Sequence, residues 1–159
     1  MQRKALLQFG VSEPAVRYRD RPTVFGVAER QGRLALVRVT REGQAPYYDL
    51  PGGALDTGES DARALAREFA EEVGLVVHAG RILASAGQYA QTSEGEAVNN
   101  RCTLMEAVID RFDRTLKVED THELVWVEPL EALRVVRRES HAWAIACWIR
   151  RAAPAGVDV

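Results

Sequence analysis

GALDTGESDARALAREFAEEVGL, running from Gly53 to Leu75, packs six acidic side chains, three glycines and the pattern of one helix into a single run. Ser60 is placed to cap the helix, Asp61 stands in the first turn where the positive end of the macrodipole favours it, and Gly74 supplies the stop. Between Ser60 and Val73, Ala62, Leu65, Ala66, Phe69 and Val73 fall on an arc of roughly 100°, the stripe expected of a helix packed on one side.

Glu68, Glu71 and Glu72 fall on a neighbouring arc about 100° wide, so three carboxylates leave one side of the helix into the same space. Like charges at these spacings repel, and carboxylates in a last turn oppose the negative end of the dipole. One reading is a solvated acidic face with Arg67 paired to Glu71. The other is a hard divalent cation: Mg²⁺ is held by a few carboxylates and keeps waters and substrate phosphates in its other positions.

The surroundings favour the cation. Gly53, Glu59, Arg67-Glu68, the apolar Phe69, Glu71-Glu72, Gly74 and Leu75 stand at the spacing of the Nudix box, and the run resembles it in every defining position. Seven such fixed residues coincide by chance less than roughly once in 10⁷ starting points. The resemblance implies a Nudix-type α/β/α sandwich with a mixed sheet, a catalytic loop-helix-loop and a C-terminal helix. It also implies Mg²⁺, with Mn²⁺ as substitute, held by Glu68, Glu71, Glu72 and the carbonyl of Gly52. Arg67 would orient the catalytic glutamates and Glu59 would support the loop and helix by charge pairing. Glu68 is the first choice as general base, with Glu119 and Glu123, beside His122, as later candidates.

Diphosphate cleavage by water needs charge neutralisation on phosphate oxygens and a base for the water, and clustered carboxylates with bound metal meet both needs. The implied activity is that of a pyrophosphohydrolase acting on a nucleoside diphosphate linked to another group. A nucleoside triphosphate, damaged ones included, stands ahead of ADP-ribose or another nucleotide sugar. Relatives preferring ADP-ribose carry a proline where this chain has Gln91, and those preferring dinucleoside polyphosphates carry a tyrosine somewhat beyond Tyr89, so neither marker is met. A catalytically silent nucleotide-binding module would have lost box carboxylates. An isomerase on the same scaffold needs a catalytic cysteine and extra histidines that two cysteines and three histidines do not visibly provide.

At 159 residues the chain has the size of one domain, 1–159. A net charge of −2 and pI near 6.0 give no bulk attraction to nucleic acid or anionic membrane, which points to a nucleotide-sized partner. Cys102 and Cys147 fit no disulfide framework or zinc pattern and read as buried thiols, and no apolar run is long enough for a membrane span, so a cytoplasmic setting is expected. A homodimer is compatible with the sequence, through the N-terminal arm or the C-terminal helix.

Residues 1–21 read as a solvated arm whose Arg19 and Arg21 are candidates for a substrate phosphate. Thr23 to Ala28 and Arg33 to Val39 read as the two strands of a hairpin, the second alternating Leu34, Leu36 and Arg38 against Ala35, Val37 and Val39. Tyr48, with Tyr47 or Phe25, is a candidate to stack on a base. Val76 to Gln91 reads as a strand broken at Gly80 and Gly87, Thr92 to Asn100 as a polar loop, and Arg101 to Asp110 as a strand covered on both faces. Leu124 to Val127 is a short strand. Pro129 opens a short helix through Leu133, a longer helix spans Glu139 to Arg151 with Trp143 and Trp148 in its core stripe, and 152–159 is a flexible tail.

Overall fold

The alternation of Leu34 and Leu36 against Ala35, Val37 and Val39 sets one strand between two apolar cores, because all five side chains are buried and the two sets enter different clusters. The computed structural model describes residues 6–152. Its elements are β1 (Leu7–Phe9), β2 (Arg19–Val27), β3 (Glu29–Arg30), β4 (Arg33–Val39), β5 (Tyr47–Asp49), β6 (Gly52–Ala54), α1 (Asp61–Val73), β7 (Leu75–Gln91), β8 (Ala97–Phe112), β9 (His122–Val127), α2 (Pro129–Val135) and α3 (Glu139–Ala152), with a 3₁₀ turn at Arg114–Leu116.

A mixed five-stranded sheet runs in the order β1-β7-β8-β2-β6, and a second sheet joins β3, β4 and β5 with β9 on the other edge of β4. Helix α1 packs with Leu65, Phe69 and Val73 against Val24, Val77 and Ala107, while α2 and α3 cover the opposite side through Ala132, Ala144 and Ile145. This is the α/β/α sandwich expected from the sequence.

Helix α1 follows its reading closely. Ser60 Oγ accepts from the Arg63 N–H at 3.2 Å, and Gly74 stops the helix at φ 69° with its N–H returning to the carbonyls of Phe69 and Ala70. Its buried side is rotated slightly from the expected stripe: Ala62 is exposed, whereas Ala64 and Glu72 are buried with Leu65, Phe69 and Val73.

Several expectations are corrected. The hairpin belongs to β3 and β4, turning on Gln31 and Gly32 at positive φ, because both edges of β2 are already occupied by β6 and β8. The N-terminal segment is no free arm, since Leu7–Phe9 add a parallel strand to the edge of β7 and Arg19 already opens β2. Strand β7 is continuous; near Gly80 it bulges, and Gly87 pairs in register with Arg101. The expected loop shrinks to a tight turn closed by Thr92 and Glu96.

Strand β8 is covered on both faces at Val98–Asn99 and at Leu104–Met105, with Val108 and Phe112 exposed toward its end. Trp143 lies 43% exposed, whereas Trp148 packs half-buried against the core with Ala144 and Ile145 as expected. Both cysteines are free, Cys102 buried and Cys147 half-buried. Positions 1–5 of the expected arm and 153–159 of the expected tail lie outside the described residues. Among the described residues no helix is long and apolar enough to cross a membrane.

Candidate active site

Glu72 of α1 meets Leu50, Gly52 and Gly53 at the floor of a cavity of about 1020 Å³. Its walls come from β2 and β8 of the first sheet, from β4 and β5 of the second, and from the start of α3. Glycine is required where strand and helix touch. A Cβ on Gly53 would lie 2.6 Å from Glu68 Oε1, and Gly52 at φ 148° passes so close to the Val24 carbonyl that a side chain has no room. The Gly52 N–H donates to Glu72 Oε1 at 3.0 Å, tying the carboxylate to the strand.

Arg67 is the hub of the box. Its Nε and Nη2 grip Glu59 at 2.9 and 2.8 Å, Nη2 also donates to the Ala54 carbonyl at 3.0 Å, and Nη1 reaches Glu68 at 3.0 Å and Glu71 at 3.4 Å. A planar fork with five donors can hold this geometry where an ammonium cannot. The hydrogen bond from Arg67, helped by the Asp56 N–H, holds the Glu59 carboxyl down to about 2, so Glu59 is a permanent anion that fixes Arg67.

Glu68 and Glu72 behave in the opposite sense. Burial pushes the Glu68 carboxyl above the usual range against the pull of Arg67. Burial pushes Glu72 well above it, with the negative charges of Glu68 and Asp49 adding to the rise and the Gly52 N–H opposing it. Glu71 is more open, its side chain 38% exposed. Among the described residues no three His, Cys, Asp or Glu side chains form a tight cage. A buried carboxylate on the floor of an open, polar cavity, crowded by a half-buried one, is a donor set suited to a hard cation that retains waters and phosphate oxygens.

The loop after β8 is strapped to this helix. The Val118 and Glu119 N–H groups donate to the Glu71 carbonyl at 2.9 and 3.1 Å. That strap brings His122 Nε2 within 3.5 Å of Glu72 Oε2 and leaves Glu119 4.0 Å from its Nδ1. Burial lowers the His122 pKa, with the Glu119 carboxylate acting against it. His122 therefore lies at the floor, Glu119 stands half exposed at the strap, and Glu123 points to the other face of β9 to meet Arg38 at 3.5 Å.

The remaining sequence candidates separate. Arg19 and Arg21 both line the cavity, Arg19 with its guanidinium paired to Glu96 at 2.7 Å. Tyr48 packs in the core beside Leu50, and Tyr47 and Phe25 line the cavity instead. Sequence reasoning missed the far wall. His141, 2% exposed, accepts the Leu50 N–H through Nδ1 at 3.1 Å and sits 4.3 Å from the Phe25 ring; burial lowers it to about 4, so it is neutral. Asp49 holds Arg137 at 2.6 Å, and the Arg137 guanidinium lies over the Tyr47 ring. Asp49 sits two residues after Tyr47, ahead of the Pro-Gly-Gly run, and its alignment with α3 has no signature in the sequence.

The model of the NUDIX domain matches residues 17–151 of this chain. The chain is 31% identical over 112 residues to the CTP pyrophosphohydrolase of Escherichia coli (strain K12), covering 70% of this chain and 78% of that protein. In structure it is similar to a NUDIX hydrolase from Nitrosomonas europaea, with a TM-score of 0.71 at 21% identity over 84% of this chain and 90% of the other. A MutT NUDIX hydrolase from Burkholderia pseudomallei superposes with a TM-score of 0.55 at 27% identity, over 80% and 97% of the two chains.

Proposed function

The chain belongs to the NUDIX domain family and is a hydrolase, and from that premise we propose that it is a Mg²⁺-dependent pyrophosphohydrolase of nucleoside triphosphates, oxidised ones included. The observation that carries the reading is the buried carboxylate of Glu72, held on the cavity floor by the Gly52 N–H, with the half-buried Glu68 held beside it by Arg67. The pyrophosphohydrolase relative, whose name gives CTP, supports a nucleoside triphosphate over a nucleotide sugar.

In this reading Glu68, Glu71, Glu72 and the Gly52 carbonyl hold the cation, with Mn²⁺ as substitute. A divalent ion bound there supplies neutralisation of phosphate charge and a more acidic water. Glu68 takes the proton from the attacking water as its oxygen bonds to phosphorus and the bridge between the α and β phosphates breaks, releasing monophosphate and pyrophosphate. Arg67 fixes the direction of Glu68, Glu59 keeps Arg67 charged and in place, and Gly52 keeps Glu72 pointed into the cavity. Arg21, on the cavity wall, is available to a phosphate, whereas Arg19 is engaged by Glu96.

A panel of common nucleoside triphosphates, 8-oxo-dGTP, ADP-ribose, dinucleoside polyphosphates and coenzyme A with Mg²⁺ tests the proposal. The highest kcat/KM is expected on a nucleoside triphosphate; a lead by ADP-ribose or coenzyme A, or silence across the panel, would reject it.

A further inference from the structure

His122 lies on the cavity floor beside Glu72, yet the proposed cleavage gives it no part. Two ties hold it there. Strand β9 sets it opposite Val39 of β4, and the loop before it is strapped to α1 through the Glu71 carbonyl. Its side chain is 15% exposed.

The histidine and the glutamate face each other across a gap. His122 Nε2 stands 3.5 Å from Glu72 Oε2, longer than the roughly 2.7–3.2 Å of an ordinary N–H···O bond. Glu72 Oε1 is taken by the Gly52 N–H at 3.0 Å, so Oε2 is the oxygen left toward the ring. On the other side of the ring, Nδ1 has the Thr121 hydroxyl at 3.0 Å and Glu119 Oε2 at 4.0 Å. Both oxygens are acceptors for an Nδ1–H, so the ring proton has a place away from Glu72 and the Nε2 lone pair can be turned to it. An imidazole backed at one nitrogen by a hydroxyl and a carboxylate, with its other nitrogen beside a carboxylate oxygen, has the surroundings of a metal ligand.

The width of the gap selects among ions. Bonds of about 2.1 Å from one ion to both atoms span 3.5 Å at an angle of roughly 110°, close to the tetrahedral preference of zinc. Mg²⁺ demands right angles at a similar bond length, which would need the two atoms roughly 3.0 Å apart. It also favours carboxylate, carbonyl and water over imidazole, whereas zinc takes imidazole readily. Carboxylates alone therefore serve Mg²⁺, and a zinc-class ion gains the nitrogen.

We propose that His122 Nε2 and Glu72 Oε2 are the protein ligands of a site for a zinc-class divalent ion, with water or phosphate oxygens in its remaining positions, and that Mg²⁺ binds the same floor without His122. The proposal rests on the reading of the box carboxylates as a cation site and adds to it a nitrogen ligand and a second class of ion.

Binding of metal alone, with no nucleotide, tests it. Co²⁺ is the probe, since it accepts the ligands of zinc and is paramagnetic. Calorimetric titrations of Co²⁺ and of Mg²⁺ are compared on wild type, His122→Ala and Glu72→Gln, each checked for fold by circular dichroism. Loss of the imidazole is expected to weaken Co²⁺ at least about tenfold, as even outer partners of ligands do when removed, and to leave Mg²⁺ affinity as it was. Proton NMR of Co²⁺-loaded wild type should show a strongly shifted, exchangeable resonance from the Nδ1–H of a coordinated imidazole, absent in His122→Ala.

Equal weakening of both ions in His122→Ala would make His122 a support of Glu72 and overturn the proposal, as would undiminished Co²⁺ affinity. A wild-type spectrum without the shifted resonance overturns it whether or not the variants fold. Failure of Mg²⁺ to bind wild type, with Co²⁺ bound through His122, would instead leave the proposal standing and remove the Mg²⁺-dependent activity. Undiminished binding of both ions by Glu72→Gln would overturn both.

Discussion

Replacing Glu72 by glutamine should stabilise the metal-free protein while removing its response to Mg²⁺. Glu72 is 6% exposed, and its carboxyl is raised well above the usual range by burial and by the charges of Glu68 and Asp49. The sign follows from linkage: an acid raised on folding binds its proton more tightly in the folded state, so its contribution to stability is full below the unfolded value and is lost as pH rises through the raised folded one. Glutamine keeps an oxygen to accept the Gly52 N–H, which now reaches Glu72 Oε1 at 3.0 Å, and removes the charge.

Relief of a buried, crowded charge is expected to be worth about 1–2 kcal/mol, or roughly 2–8 °C in Tm for a chain of this size. Mg²⁺ at 100 times its Kd should raise wild-type stability by about 2.7 kcal/mol, and Glu72→Gln should show little of that rise. Thermal melts of both proteins in EDTA and in Mg²⁺ supply all four values. A variant that melts below wild type in EDTA, or that keeps the full Mg²⁺ response, would refute the picture of a strained carboxylate relieved by a cation.

Arg67→Ala frees Glu59, Glu68 and Glu71 together, and kcat is expected to fall by about 10²–10³, with Arg67→Lys unable to restore it because the fork is lost; steady-state kinetics on the best substrate decides. Gly53→Ala places a Cβ 2.6 Å from Glu68 Oε1, and the displaced carboxylate should cost about 10² in kcat with an unchanged far-ultraviolet spectrum; wild-type turnover would contradict the contact. Neutral, buried His141, lowered to about 4, binds its proton more weakly folded than unfolded. Its contribution to stability is therefore full above the unfolded value near 6.5 and falls as pH drops toward 4, by on the order of 3 kcal/mol in all. Urea titrations across that window should show His141→Asn, whose oxygen can still accept from Leu50, with a shallower pH dependence than wild type.

How far the sequence carried differs from element to element. Helix α1 was legible to its caps because Ser60, Gly74 and the apolar spacing are local chemistry, and the two-sided burial of β4 was legible in its alternation. The β2–β4 hairpin was misread because Thr23 to Ala28 and Arg33 to Val39 are adjacent in sequence, whereas strand pairing is decided by which edges are free, and β8 takes one edge of β2 from far along the chain. The box residues were legible as a pattern, and the grip of Arg67 on Glu59 agrees with the pairing expected of them. The far wall was not, since Asn100, Arg138, Ser140 and His141 meet only when α3 folds across β2 and β8. Tyr48 and Tyr47 differ by one residue, and a single step along a strand sends one ring to the core and the other to the cavity.

In the proposed function, Glu68 and Glu72 of α1 direct cleavage between the α and β phosphates. Phosphorus NMR of a nucleoside triphosphate turned over with Mg²⁺ by wild type and by Glu68→Gln tests it most directly. Monophosphate and pyrophosphate are expected as the only products of wild type, with none in EDTA and a rate reduced by about 10²–10⁴ in Glu68→Gln. Diphosphate and inorganic phosphate as products, or undiminished turnover by Glu68→Gln, would contradict it.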